Sequence, residues 1–85
     1  MEQTADILRE LLQQQFPDSE LELEPSDDGR LTGFLIWDGF IGQEQIERQR
    51  ALWRVIRERL TTEQQREIVG IFTMTGPEMA AAREG

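Results

Sequence analysis

Along the first half of the chain the apolar positions change period twice. Ile7, Leu8, Leu11 and Leu12 recur at i, i+1, i+4 and i+5, which predicts an amphipathic helix of about three turns with Thr4 as its N-cap. Phe16 before Pro17 ends it, because the proline ring disfavours helical backbone at the residue it follows. From Glu20 to Glu24 the period becomes two, with Leu21 and Leu23 facing one way and the glutamates the other, so a short strand with one wet face is expected. Pro25 lacks a ladder N–H and makes this an edge strand, and the glutamates oppose edge-to-edge pairing. Ser26 to Gly29 supplies a hairpin turn, its Asp-Gly pair accommodating positive φ. Leu31 to Trp37 then reads as a strand apolar on both faces, which suits an interior position.

After Asp38 and Gly39 the helical period returns. Phe40 to Leu60 predicts the longest helix, on which Ile46, Trp53, Ile56 and Leu60 share one quadrant, Leu52 widens the stripe and Gln49 falls at its centre. Arg50, Arg54 and Arg57 line one flank at i, i+4 and i+7, and Arg48 and Arg59 lie on the other. Thr62 with Gln65 matches a capping box, which predicts a short helix through Glu67. Ile68 to Thr75 is dense in β-branched and aromatic residues and reads as the last strand, closed by Gly76 and Pro77. The fold class that follows is α+β: a single domain over residues 1–77 in the order α-β-β-α-(short α)-β, a three-stranded mixed sheet with helices packed on one face. Phe34, Trp37, Phe72 and Met74 are expected to form the sheet side of the core. Residues 78–85 carry too little apolar surface to hold themselves down and read as a flexible tail.

Composition narrows the chemistry. Eighty-five residues allow one modest core but not also an enclosed active site of ordinary size. The chain has neither cysteine nor histidine, which removes disulfides, zinc fingers, thiolate-held clusters and imidazole proton transfer. It also has no lysine or tyrosine, so catalysis would rest on two serines and scattered carboxylates, and a non-enzymatic protein with no metal or cofactor of its own is expected. No run approaches a membrane span and the start lacks a signal-peptide pattern, which predicts a cytoplasmic protein without membrane contact.

The net charge of −8 is uneven. Residues 1–45 carry eleven acids against two arginines, whereas residues 46–60 carry two acids against five arginines. An acidic surface repels a polyanion everywhere but at that row.

Four stretches invite a functional reading. Gln49, mid-stripe, is either hydrogen-bonded to backbone or marks a surface where a partner docks. Arg50, Arg54 and Arg57 suit an acidic partner or a phosphate backbone, unless they form a solvated face paired with Glu47 and Glu58. Gly39-Phe40-Ile41-Gly42 spells Gly-x-x-Gly before a helix, where backbone N–H groups can cradle phosphate, but its middle residues are apolar and Asp38 adjoins them. Asp27 and Asp28 could hold a hard cation weakly, but the spacing of a calcium loop is absent and a turn accounts for them.

Three segments resemble the BolA-like family, a small α/β module similar to the type II KH domain. Phe40-Ile41-Gly42 resembles the family's Phe-x-Gly, and Arg48-Gln49-Arg50-Ala51-Leu52-Trp53 its Arg-His-Arg-x-Val-Tyr. Pro77-Glu78 after Thr73-Met74-Thr75 is similar to its Thr-x-Thr-Pro-Glu with Gly76 inserted. The resemblance implies a protein partner, a monothiol glutaredoxin, with which the family shares iron–sulfur clusters through histidines. Those positions correspond to Gln49 and to the neighbourhood of Ile68, and the family's serine at the end of the second strand to Trp37. Glutamine is a poor ligand for a soft iron site, so cluster ligation does not carry over.

The reading that follows is a protein-interaction or regulatory module, monomeric or weakly homodimeric, using the face of helix 41–60 with Phe40, Ile41, Gly42, Gln49, Arg50, Arg54 and Arg57. The alternative is a KH-like RNA or DNA binder using Gly39, Gly42, Arg50 and Arg54.

Overall fold

The computed structural model describes residues 3–84 and places two strands, a long crossover and a third strand around one sheet. Helix α1 spans Thr4–Gln15, β1 Glu20–Pro25 and β2 Leu31–Ile36. A single 3-10 turn, Asp38–Phe40, precedes α2, Gln45–Arg59, and the short α3, Thr62–Arg66. Strand β3 covers Ile68–Met74 and α4 covers Gly76–Glu84. The sheet order is β1-β2-β3, with β1 antiparallel and β3 parallel to the central strand. The interior position read for β2 and the edge position read for β1 are both found.

One face of the sheet carries the core. Leu8, Leu11 and Leu12 of the first helix, Phe16 at its C-cap, Leu35 of β2, Phe40, the α2 residues Leu52 and Ile56, and Leu60, Ile68 and Ile71 form one buried cluster. Phe16, Trp37 and Phe40 close its end as a mutually tilted trio with ring centroids 5.1 to 5.8 Å apart. The Trp37 indole N–H donates to the Pro17 carbonyl at 2.8 Å, so its polar atom is satisfied at the rim.

The sheet decides which side of each strand is inside, and here it overrules part of the aromatic assignment. Leu35 and Ile71 set the core face, so Phe34 and Phe72, one residue out of phase with them, stand on the opposite face, where they stack at 5.4 Å. Phe72 is 64% exposed, and Phe34 and Met74 are only half-buried; of the four residues expected in the core, Trp37 alone packs against it. A register shift opposite Leu31 and Thr32 lets Ile68 face inward while Val69 is exposed.

Boundaries differ from the sequence reading in four places. Thr4 is the first helical residue rather than the cap, which is Gln3, and its hydroxyl donates to the Glu67 carboxylate. The long helix starts at Gln45 rather than at residue 40 or 41, because Gly42 takes φ +88 and breaks the run. The capping box that starts α3 is Thr61 with Gln64, one residue earlier than Thr62 with Gln65. The last stretch is the largest difference: residues 76–84 are a helix, not a tail.

Helix α4 is held by contacts that local composition does not show. Thr75 and Glu78 form a second capping box, Glu78 N–H donating to the Thr75 hydroxyl at 3.2 Å and Thr75 N–H to the Glu78 carboxylate at 2.8 Å. Asp38 accepts from Gly76 N–H at 2.9 Å, Met79 is buried, and Arg83 pairs with Glu22 at 2.5 Å. Glu22 stands opposite Phe34 in the register and shares its face, so Arg83, in the last turn of α4, reaches the side of the sheet opposite the core.

Candidate interaction surface

The stretch from Trp37 to Arg59 divides its side chains between the core and the solvent. Phe40 is wholly buried against Phe16 and Trp37, so it belongs to the core and not to a contact surface. Its neighbour Ile41 is 63% exposed at the tip of the turn, with Gly42 beside it. Gly39 serves close packing: a Cβ there would lie 2.4 Å from the Trp37 ring. The backbone of the Gly-x-x-Gly turn is engaged internally, Phe40 N–H donating to Trp37 O, Ile41 N–H to Asp38 O and Gln43 N–H to Phe40 O. The turn therefore does not converge free amides on one point in the way a phosphate cradle does.

On α2 the buried stripe is rotated from the one the wheel proposed. Its centre is Leu52, flanked by Arg48 and Ile56, and Ile46 is 56% exposed instead of buried. The stripe turns because Arg48, read as a flank residue, is 5% exposed and paired with Glu78 at the edge of the core. Its guanidinium donates to both carboxylate oxygens of Glu78 at 2.6 and 3.2 Å and to Gln43 O at 2.9 Å, and it lies 5.8 Å over the Phe40 ring. The Arg48 guanidinium and then the Thr75 N–H hold the Glu78 carboxyl down at about 2. Thus one arginine of the basic segment is a structural pin joining α2 to α4.

Gln49 also points inward. Its amide N–H2 donates to Ile71 O at 2.9 Å and to the Thr73 hydroxyl at 3.2 Å. One turn earlier, Gln45 donates to Thr73 O at 3.0 Å and accepts from the Thr73 hydroxyl at 2.8 Å. Of the two readings open for Gln49, the hydrogen-bonded one matches the geometry. Ile68, near which the resemblance puts the second histidine, is an apolar core residue.

Arg50, Arg54 and Arg57 face outward from α2 and are exposed. Among the described residues no carboxylate pairs with any of them; Glu47 and Glu58 do not. Exposed Ile46 stands one turn before Arg50 on the same side of the helix, and exposed Ile41 lies in the turn that precedes the helix.

Elsewhere, Asp28 is engaged within its own turn. It accepts from the Ser26 hydroxyl and from Arg30 N–H and Nε, and these bonds lower its pKa, that of Ser26 first. No group of three potential metal-ligating side chains occurs among the described residues, and no helix there is long and apolar enough to cross a membrane. Sequence reasoning missed Gln45 and the Arg48–Glu78 pin. The Thr75-x-x-Glu78 spacing was the one signal that could have announced α4.

A three-stranded mixed sheet with a helical crossover between its parallel strands, and a terminal helix pinned back to that crossover, defines a small α+β class. Among solved structures the chain is similar to BolA1 from Arabidopsis thaliana, with 26% identity over 92% of this chain and 98% of that one and a TM-score of 0.73. It is also similar in fold to a bol-like protein from Babesia bovis, with 16% identity over 98% of this chain and 95% of that one and a TM-score of 0.59. No protein-family model matches the sequence, and no curated protein does. The fold is that of the BolA-like structures it resembles.

Proposed function

We propose that this chain is a non-enzymatic interaction module of the BolA type that docks a protein through the outer side of α2. The single observation that carries the reading is the row Arg50, Arg54, Arg57: three exposed guanidinium groups with no carboxylate partner among the described residues, in a chain of net charge −8. In an acidic protein an unneutralised basic row is a local attractor for carboxylates, and planar guanidinium groups bind them bidentately. Ile41 and Ile46 add the apolar area that a docking surface needs at its centre.

The partner class is an acidic protein surface, and the likeness to BolA1 makes a monothiol glutaredoxin the first to try. The chain would bring no iron–sulfur ligand to that pairing. It has no histidine or cysteine, the Gln49 amide is committed to Ile71 and Thr73, and Ile68 is apolar. The reading is tested by recovering the tagged protein with its cross-linked partners from its own cells, with and without nuclease, beside the variant R54E/R57E. A protein partner that survives nuclease and is lost in the folded variant supports the reading. Recovery unchanged in the variant overturns it, and recovery that collapses with nuclease replaces it with the RNA- or DNA-binding alternative.

A further inference from the structure

The two edges of this sheet differ in how they are protected against a second strand. Strand β1 carries Glu20, Glu22, Glu24 and Pro25, charge and a missing N–H that together discourage pairing. Strand β3, IVGIFTM, has no ionisable residue and no proline, and Phe72 and Val69 beside its edge are exposed. By composition it is the edge that should aggregate.

Its backbone orientation can be assigned. Trp37 N–H donates to Met74 O at 2.8 Å, so Met74 turns its peptide groups toward the central strand, and by alternation Phe72 and Gly70 do the same. The carbonyls of Ile71 and Thr73 therefore lie on the free edge. Both are occupied, Ile71 O by Gln49 and Thr73 O by Gln45, two residues one helical turn apart on α2. Thr73, buried, locks the pair by accepting from Gln49 and donating to Gln45.

We propose that Gln45 and Gln49 are an edge guard: their side-chain amides stand where the N–H groups of an added strand would stand, and they keep β3 of this chain from pairing with β3 of a second copy. A primary amide offers the same donor as a peptide. Strand addition would exchange one amide bond for another of equal kind and still order a second chain, so it gains nothing at these carbonyls. Without the glutamines the edge becomes a bare, uncharged template. A second β3 is its natural occupant, because identical edges meet antiparallel across a two-fold axis, whereas β1 brings its glutamates.

The test is the variant Q45A/Q49A in the full chain, followed by sedimentation velocity across a concentration series and by amide exchange at Ile71 and Thr73. The expected result is a folded protein that dimerises at least roughly tenfold more tightly than the wild type, with both amides gaining protection as dimer forms. Adding F72D, which sets a charge beside the edge, should restore the monomer. A folded double variant no more associated than the wild type overturns the proposal, and so does association that F72D leaves intact. If the double variant does not fold, Q45A alone removes the donor to Thr73 O at an exposed position; a folded Q45A with unchanged association and unchanged Thr73 amide exchange overturns it equally. No partner protein enters this test, so its failure is separable from failure of the docking reading.

Discussion

Phe40 and Ile41 are consecutive apolar residues, and Arg48 and Arg50 are two apart, yet in each pair one side chain builds the domain and the other stands in solvent. Phe40 is sealed among Phe16, Trp37 and Arg48, and Arg48 is clamped by Glu78 and Gln43. Ile41 stands in solvent and Arg50, with Arg54 and Arg57, has no carboxylate partner among the described residues. The same chemistry thus carries opposite meanings a few ångströms apart. What separates them is the phase of the helix and the position of Glu78, thirty residues farther along from Arg48.

The comparison can be broken from its inward half first. Phe40→Ala should cost about 3 to 5 kcal/mol in urea unfolding, the range for an aromatic removed from a closed core, whereas Ile41→Ala should leave stability within about 0.5 kcal/mol. Arg48→Ala should rank next, because it strips the pin from α4 and uncovers the Phe40 ring, while the Glu78 carboxylate it leaves behind is solvated. Arg48→Lys should recover only part of that loss, since an ammonium cannot repeat the bidentate grip. Gln49→Leu should destabilise by about 1 to 2 kcal/mol, because Ile71 O loses its donor and the Thr73 hydroxyl keeps only its bond to Gln45; a gain in stability would mean that Gln49 is a passive core position.

A pH series sharpens the same contrast. The Glu78 carboxyl is held at about 2 in the folded chain, against 4.5 for an unperturbed glutamate. Its contribution is therefore fully present above about pH 4.5 and is lost as pH falls toward 2, as protonation releases the guanidinium. The stability difference between the wild type and Glu78→Gln should be largest at neutral pH and close across that window. The smallest effect belongs to the outward row: Arg50→Ala, Arg54→Ala and Arg57→Ala should each change stability by no more than about 0.5 kcal/mol, and their consequence should be read in partner recovery.

Much of the fold was legible because it rests on local period. Alternation in ELELE and the apolar run of β2 placed an edge strand and an interior strand, and the dense apolar run at Ile68 placed the last strand. The exposed arginines were legible for the same reason, since i, i+4 and i+7 always share a face. Gly42 is visible in the sequence but its positive φ is not, so period alone starts the long helix too early.

By itself, then, the sequence determined the number and order of the main elements, the absence of thiol and imidazole chemistry, and the basic segment in an acidic chain. Only the tertiary structure decided which of the aromatics were core, that Arg48 was a pin and not part of the row, that Gln45 and Gln49 closed a sheet edge, and that the C-terminal residues were a helix. The physical reason is reach. Period and turn chemistry act over a few residues, whereas the partners that gave these side chains their roles, Glu78 for Arg48, Thr73 for Gln45, and Asp38 and Glu22 for α4, lie between 28 and 61 positions away and are met only once the sheet has formed.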